Sequence, residues 1–182
     1  MTGTPGTGKK TVAPLLAKAL GVQCLGINEA ARARDLLKKR GDEWEVDTDA
    51  LRRALHAIST PVVLYGHLLP NSIDGALVSR AVVLRCEPSM LKRRLAERRY
   101  SARKLIDNVE SELIGLLSSE TFDAFGEEKT FEVDTTTTAA EQVASAVVAV
   151  VTGDSEPGPR IDWTLDYDRG EKLRSLLSVG RS

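Results

Sequence analysis

Gly3-Thr-Pro-Gly-Thr-Gly-Lys-Lys-Thr11 lies almost at the start of the chain, and its Gly-x4-Gly-Lys spacing is that of a phosphate-binding loop, or P-loop. Glycines let several backbone N–H groups converge on phosphate oxygens in conformations that a side chain would block. A helical pattern follows at once, so the positive end of the helix dipole points at the same oxygens. The stretch therefore predicts a P-loop nucleotide-binding fold.

Each position of this loop has an expected task. Lys9 is predicted to bring a positive charge to the β- and γ-phosphates of ATP and is a candidate catalytic residue. Lys10 stands where the magnesium-binding Ser or Thr usually lies, and Thr11 follows it. Gly-Lys-x-Thr, with Pro5 inside the loop, resembles the adenylate kinase variety of P-loop, in which the hydroxyl comes one place later, and this resemblance implies Thr11 as the metal ligand. The predicted cofactors are ATP and Mg²⁺. The residues expected to contact ATP are Gly3, Pro5, Gly6, Thr7, Gly8, Lys9, Lys10 and Thr11.

Only Met1 and Thr2 precede the loop, although a P-loop normally follows a buried strand. We expect the first strand to be missing from this chain, and about six to eight apolar residues, a typical strand length, to belong upstream of Met1. Without them, the centre of the sheet is expected to be unfilled.

Short apolar runs alternate with longer helical patterns along the rest of the chain. Buried strands are predicted at Pro61–Tyr65 and Ala81–Arg85, where apolar residues follow one another without alternation, and a weaker strand at Thr130–Val133. This order predicts an α/β fold: a P-loop NTPase three-layer sandwich with a parallel sheet. Helices are predicted at about residues 9–20, 29–40, 49–57, 90–98, 102–125 and 139–151.

The composition is that of one globular domain. The chain has 182 residues, of which 42% are hydrophobic and 28% charged, with a net charge of −1, which argues against wholesale nucleic-acid binding. No apolar run approaches the ~20 residues that span a bilayer, so no membrane partner is expected. Cys24 and Cys86 lie far apart and lack metal-ligand spacing, which favours reduced thiols in a cytoplasmic protein.

Three features mark the last part of the chain. Thr138 and Glu141 have the spacing of a capping box at the start of the final long helix. Residues 154–160 are rich in proline and charge and predict a linker. The tail beyond it carries Trp163, Tyr167 and a short helix, and its composition favours a docking segment over a catalytic one.

A second set of residues carries a resemblance to a known family. Gly66-His67 follows a predicted strand, and Arg94-Leu-Ala-Glu-Arg98-Arg-Tyr100 is followed by Lys104, Asn108 and Glu110. Together with the P-loop, these residues resemble adenylate kinase isoenzyme 6 and its archaeal relatives. The resemblance covers residues 1 to about 152.

The resemblance implies an activity and a domain plan. It implies ATP-dependent phosphoryl transfer to AMP or a related nucleoside monophosphate, together with ATP hydrolysis during maturation of the small ribosomal subunit, in contact with ribosomal protein uS11. It also implies a kinase domain at residues 1–152, with a monophosphate-binding arm at about 28–57 and a short lid at about 98–108. Residues 153–182 are then linker and tail.

Several basic residues gain candidate roles. Arg94 and Arg98 are four residues apart on one predicted helix and therefore share a face, where cations can close over a migrating phosphoryl group. Both are candidate catalytic residues, and Arg98 is also expected to contact ATP. Arg32 and Arg34 are candidate monophosphate ligands. A solvated basic surface remains the alternative for both pairs.

Thr135 and His67 follow predicted strands and also allow two interpretations. Thr135 is a candidate contact for the adenine base, or a residue that only helps a helix to begin. The resemblance implies that His67 positions a water or a phosphate as a catalytic residue, and the alternative is a structural hydrogen-bonded histidine.

One position departs from the family. The family has Asp or Glu two places before its His, but this chain has Tyr65, which is uncharged at pH 7 and a poor magnesium ligand. Asp74 could replace that carboxylate only if its loop folds back. Tyr65 and the tail therefore favour an alternative function slightly: an ATP-gated ribosome assembly factor with little kinase activity. The first interpretation is still a nucleoside monophosphate kinase.

Overall fold

The computed structural model describes residues 1–40, 43–98, 100–167 and 170–178. Residues 41–42 of the predicted arm and residue 99 of the predicted lid lie outside the described residues, as do 168–169 and 179–182 of the predicted tail.

The elements within these ranges alternate between strand and helix. The strands are β1 (Gln23–Gly26), β2 (Leu37–Arg40), β3 (Glu43–Val46), β4 (Val62–Tyr65), β5 (Ala81–Arg85) and β6 (Thr130–Asp134). The α-helices are α1 (Lys9–Leu20), α2 (Ile27–Ala33), α3 (Thr48–His56), α4 (Leu69–Ser72), α5 (Pro88–Ala96), α6 (Ala102–Leu113), α7 (Leu116–Phe125), α8 (Ala140–Thr152) and α9 (Glu171–Leu177). Short 3-10 helices cover Gly75–Leu77 and Trp163–Asp166.

The main sheet is parallel and is joined at its centre by the first two residues. β1 pairs with β4, and β5 pairs with β6, both in parallel register. Between the pairs, the Met1 amine donates to the Leu64 carbonyl at 2.7 Å, and the Thr2 amide donates to the Val82 carbonyl at 2.8 Å. The order is therefore β1-β4-(Met1–Thr2)-β5-β6, and β2 and β3 form a separate antiparallel pair. The predicted α/β fold with a parallel sheet is confirmed.

Helices cover both faces of the sheet. All of β5 is buried, and alternation along the strand gives its two faces different neighbours. Val82 and Leu84 pack into the core cluster with α1 and α8. Arg85 points the other way, where it contacts Glu112 of α6. This alternation sets a buried charge under the loop that follows Thr2.

A cavity of about 440 Å³ lies in the middle of the sheet, between β4 and β5. Met1 and Thr2 close it on the side of the P-loop, and Val62, Val63 and Ala81 line it among other apolar residues. Met1 and Thr2 fill the centre of the sheet at the P-loop end and the cavity lies beyond them, so the expectation of an unfilled centre is confirmed for that part only. A strand upstream of Met1 stays a prediction.

Three sequence expectations about helices were wrong. The predicted helix 29–40 ends at Ala33 in α2, and β2 follows it, because the charged stretch Leu37–Arg40 pairs with β3 in antiparallel register. The predicted helix 102–125 is two helices, since Gly115 between them has φ +66°. The capping box does not form: Ala139 is the N-cap of α8, with no side-chain hydrogen bond.

The tail packs onto its own domain. Tyr167 and Leu176 are buried against Leu91 of α5 and Val109 of α6. The aromatic residues that favoured docking to a partner therefore have an intramolecular contact surface.

No helix in the described part of the chain combines the length and the apolar character needed to cross a membrane.

Candidate nucleotide-binding site

The P-loop connects Thr2 to α1 at the carboxyl edge of the sheet. At Gly3, φ is +138° and a Cβ would lie 2.4 Å from the Leu84 carbonyl oxygen. At Gly6, φ is +103° and a Cβ would lie 2.6 Å from the Leu91 side chain. Both positions require glycine, because the loop is pressed against β5 on one side and α5 on the other.

Three threonine hydroxyls hold the loop in shape. The Thr4 hydroxyl donates to Glu112 at 2.5 Å, and the Thr7 hydroxyl donates to the Thr4 carbonyl at 2.9 Å. From outside the loop, the Thr135 hydroxyl donates to the Thr7 carbonyl at 3.0 Å. A loop fixed in this way is pre-organised for phosphate, since little ordering remains to be done on binding.

The ammonium of Lys9 is folded into the loop. Its Nζ donates to the carbonyl oxygens of Gly3 and, at 2.9 Å, Thr4. Burial lowers the pKa of Lys9 to about 7; the negative charge of Glu112 opposes this shift and the positive charge of Arg98 adds to it. A desolvated cation within a ring of backbone groups is suited to bind phosphate oxygens strongly.

A carboxylate that the sequence analysis missed lies beside the loop. Glu29, in the first turn of α2, forms an ion pair of 3.2 Å with Lys10. Both the Glu29 carboxylate and the Tyr65 ring lie over Gly26, where an added Cβ would be 1.8 Å and 2.8 Å from them. In the sequence, Glu29 is recognisable as a carboxylate that closely follows a strand, but that strand, β1, was not predicted.

Glu29 is ionised more readily than an ordinary glutamate. Partial burial works to raise its pKa, but the hydrogen bond from its own backbone amide and the charge of Lys10 outweigh burial, so the pKa is lowered. Asp74, the replacement considered from the sequence, accepts instead from the Ala76 amide at 2.9 Å and approaches His56 at 3.8 Å. The carboxylate next to Tyr65 is therefore Glu29.

These side chains fit a magnesium ion that is bound together with a nucleotide. Thr11 is exposed in the first turn of α1, and Glu29 lies beside Lys10. No group of three or more His, Cys, Asp or Glu that could hold a metal occurs in the described ranges. Mg²⁺ commonly uses one or two protein ligands and takes the rest from phosphates and water.

The two candidate arginines of α5 have different surroundings. The Arg94 guanidinium donates to the carbonyl oxygens of Thr135 at 2.6 Å and Thr136 at 2.9 Å, so it holds the turn after β6. Arg98 is exposed, two residues beyond the end of the helix, and its charge acts on Lys9. The structure therefore brings Arg98 toward the loop and gives Arg94 a structural partner.

The remaining candidates lie around this centre. His67 is exposed, and partial desolvation together with the charges of Lys9 and Lys104 lowers its pKa. Arg32 and Arg34 are exposed at the end of α2, where Arg34 donates to the Ala30 carbonyl at 3.4 Å. Their contact with a monophosphate stays a prediction.

Thr135 is buried, and its hydroxyl is already engaged. It contacts the carbonyl oxygens of Thr7 and Arg85, at 3.0 and 2.8 Å. The side chain thus acts as a tether of the P-loop, and a contact with adenine stays a prediction. In the same loop, Pro5 and Gly8 are half-buried and Gly6 is buried.

Comparisons with known proteins agree with this geometry. The AAA domain family matches residues 1–115. The chain is 34% identical over 172 residues to the protein named "Putative adenylate kinase" of Thermococcus onnurineus, covering 93% of this chain and 92% of that protein. The protein of the same name from Pyrococcus furiosus is 36% identical over 183 residues, covering 99% and 97%. The crystal structure of TT1252 from Thermus thermophilus has a TM-score of 0.50 at 19% identity, over 85% of this chain and 95% of that chain, and shows likeness of fold alone.

Proposed function

The chain belongs to the AAA domain family of P-loop proteins, together with the archaeal proteins named above, and we propose that it transfers the γ-phosphoryl group of ATP to AMP or a related nucleoside monophosphate. The observation that carries the proposal is the pre-formed loop with the Lys9 ammonium inside it and the Arg98 charge close by. Phosphoryl transfer needs positioning and positive charge more than covalent chemistry from the protein, and this site supplies both.

Each residue of the site has its own role in the proposed reaction. The loop amides and Lys9 bind the phosphates of ATP, with Lys9 exchanging its carbonyl contacts for phosphate oxygens. Arg98 comes from the short connection between α5 and α6 and neutralises charge on the migrating group. His67 positions a phosphate or a water beside Lys9. Arg94 supports the loop through Thr135.

The Thr11 hydroxyl would hold Mg²⁺ together with ATP, and the ion would supply positive charge that neutralises the phosphate oxygens. Glu29 accepts hydrogen bonds from the water shell, which compensates for Tyr65 at the position where the family has a carboxylate.

The acceptor enters on the side of α2. Arg32 and Arg34 are exposed there. They belong to the monophosphate-binding arm that we expect at about residues 28–57. Guanidinium groups bind phosphate through paired hydrogen bonds, which suits them to a monophosphate.

The test is to mix the protein with Mg-ATP, with and without AMP, and to follow all phosphates by ³¹P NMR. The proposal expects ADP only when AMP is present, without release of free phosphate. Lys9→Met is the matched control, because it removes the loop cation and should abolish the reaction. Free phosphate that does not depend on AMP would contradict the kinase proposal.

Free phosphate without AMP would instead favour the alternative function, an ATP-gated factor in small ribosomal subunit maturation with uS11 as partner. That role rests on the resemblance alone. Within the described part of the tail, Tyr167 is buried against the chain's own α5 and α6 and is not available to a partner.

A further inference from the structure

Three charged side chains form a closed cluster behind the P-loop. Arg85 of β5 and Glu112 of α6 are 3% and 2% exposed, and Arg85 Nε donates to Glu112 at 2.9 Å. Arg85 Nη1 also donates to Glu132 of β6, which is 1% exposed. The cluster holds two carboxylates and one guanidinium. Buried charge of this kind is costly unless each member is fully paired, so the additional partners of the cluster matter.

The first partner is the P-loop. Glu112 accepts from the Thr4 hydroxyl at 2.5 Å and, through its other oxygen, from the Cys86 amide at 2.9 Å. The surplus negative charge of the cluster acts on Lys9, where Glu112 works against the effect of burial. Glu112 therefore accepts a hydrogen bond from Thr4 in the P-loop, and its negative charge acts on Lys9, the cation of the same loop.

The second partner is the tail. The Trp163 indole donates to the same Glu112 carboxylate at 3.3 Å. The Ile161 amide donates to Glu132, and the Ile161 carbonyl accepts from Arg85 at 3.0 Å. Just before it, the Arg160 guanidinium stacks 3.8 Å above the Phe122 ring. The tail thus supplies hydrogen bonds to all three members of the cluster.

We propose that Glu112 is a positioning residue of the nucleotide site and that residues 161–167 are coupled to nucleotide binding through it. Thr4 and Trp163 share one carboxylate, so a docked tail fixes Glu112, and a fixed Glu112 holds Thr4. When the Lys9 ammonium moves from the Thr4 carbonyl to a phosphate oxygen, Thr4 loses one of the hydrogen bonds that hold it. The position of Thr4 then depends more on the bond from its hydroxyl to Glu112. Binding of ATP and docking of the tail therefore strengthen each other. The proposal rests on nucleotide binding at the P-loop, but not on phosphoryl transfer.

The first test uses Trp163 as a reporter in the full chain. The chain has two tryptophans, so Trp44→Phe leaves Trp163 as the source of emission. The proposal expects ATP to change the Trp163 emission, with a midpoint equal to the Kd for ATP from calorimetry. Emission that stays constant while calorimetry detects ATP binding would overturn the coupling.

The second test compares two carboxylates of the same cluster. Glu112→Gln and Glu132→Gln each remove one buried negative charge, but Glu112 alone touches Thr4. We expect Glu112→Gln to weaken ATP binding by about tenfold or more, the scale of a lost charged hydrogen bond, and Glu132→Gln by about threefold or less. Equal effects of the two variants would overturn the positioning role.

A third comparison keeps the cluster intact if Glu112→Gln fails to fold, as judged by circular dichroism. Trp163→Phe removes only the indole donor and should weaken ATP binding by about threefold, the scale of one neutral hydrogen bond. Leu165→Ala is the matched control, because it changes an apolar residue of the same segment that is 80% exposed. Equal ATP affinity in the two variants would contradict the proposal.

Discussion

The ammonium nitrogen of Lys9 lies 2.9 Å from the carbonyl oxygen of Thr4, inside the loop that we propose to bind phosphate. Burial, the largest influence, lowers the pKa of Lys9 from 10.5 to about 7. Between these pH values the unfolded chain binds more protons than the folded chain, so this lysine makes the nucleotide-free protein more stable as pH rises through the window. Phosphate requires the charged lysine, so ATP affinity should fall as pH rises above about 7.

Calorimetric titrations with ATP at several pH values above 7 would measure this fall. Lys9→Met is expected to weaken binding at every pH and to abolish the pH dependence. A wild-type affinity that stays flat between neutral and alkaline pH would show that Lys9 is already charged in the free loop.

Glu29→Gln should raise the Mg²⁺ concentration needed for activity. The carboxylate lies beside Lys10 and Tyr65, where it can accept from metal-bound water. Loss of such a partner typically costs about 10- to 100-fold in metal affinity or activity. Rates measured across a Mg²⁺ titration would test this, with Asp74→Asn as a control that makes the same charge change at a carboxylate contacting Ala76 and His56. If the two variants behave alike, Glu29 has no part in metal binding.

Arg98→Ala should lower the activity of the protein, whereas Arg94→Ala should lower its stability. Arg98 is exposed and acts on the charge at the loop, so its removal should lower kcat by about 100-fold or more with an unchanged Tm. Arg94 bonds the carbonyls of Thr135 and Thr136, so Arg94→Ala should lower the unfolding free energy by about 1–3 kcal/mol. Steady-state kinetics and thermal melts on both variants separate the roles. A loss of Tm in Arg98→Ala would contradict the assignment.

An N-terminal extension should stabilise the protein. Burial, followed by the charge of Lys9, lowers the pKa of the Met1 amine to about 5, so this amine is a buried group without its usual charge. A variant with about six Val and Ile residues before Met1 would replace the amine by an amide and fill the cavity of about 440 Å³. Each kcal/mol gained is worth about 2–4 °C in Tm, and a rise of about 5 °C or more is expected.

The control for this variant is an extension of equal length made of Gly and Ser. It removes the buried amine in the same way, but it offers little apolar surface to the cavity. Equal melting temperatures for the two extended variants would mean that the slot between β4 and β5 does not take a strand.

The sequence predicted those parts of the fold that have strong local patterns. β5 was predicted with correct bounds, because a continuous apolar run reports burial on both faces. The short β1 was missed, since a four-residue strand with two polar or small ends carries little pattern. α6 and α7 are separate helices because Gly115 has a positive φ. The sequence does not predict this break, because helices tolerate single glycines.

The site was predictable as far as it follows one stretch of chain. The P-loop with Lys9 came from spacing, and Thr11 came from the resemblance of Gly-Lys-x-Thr to the adenylate kinase variety of the loop. Glu29 required knowledge of β1 and of the neighbouring Tyr65, and the tie between Glu112 and Trp163 joins residues 51 positions apart. Such contacts are fixed by tertiary packing, which no local periodicity records.

The cavity in the sheet also bears on how the protein associates with other chains. Facing it, the first residues of β4 and β5 have apolar side chains, and no strand within the described ranges pairs with them on that side. Unpaired strand edges are templates for the backbone of another chain. Here such edges also lie within the sheet, beneath Met1 and Thr2, so intermolecular β-pairing has a place to begin besides the outer strands β1 and β6.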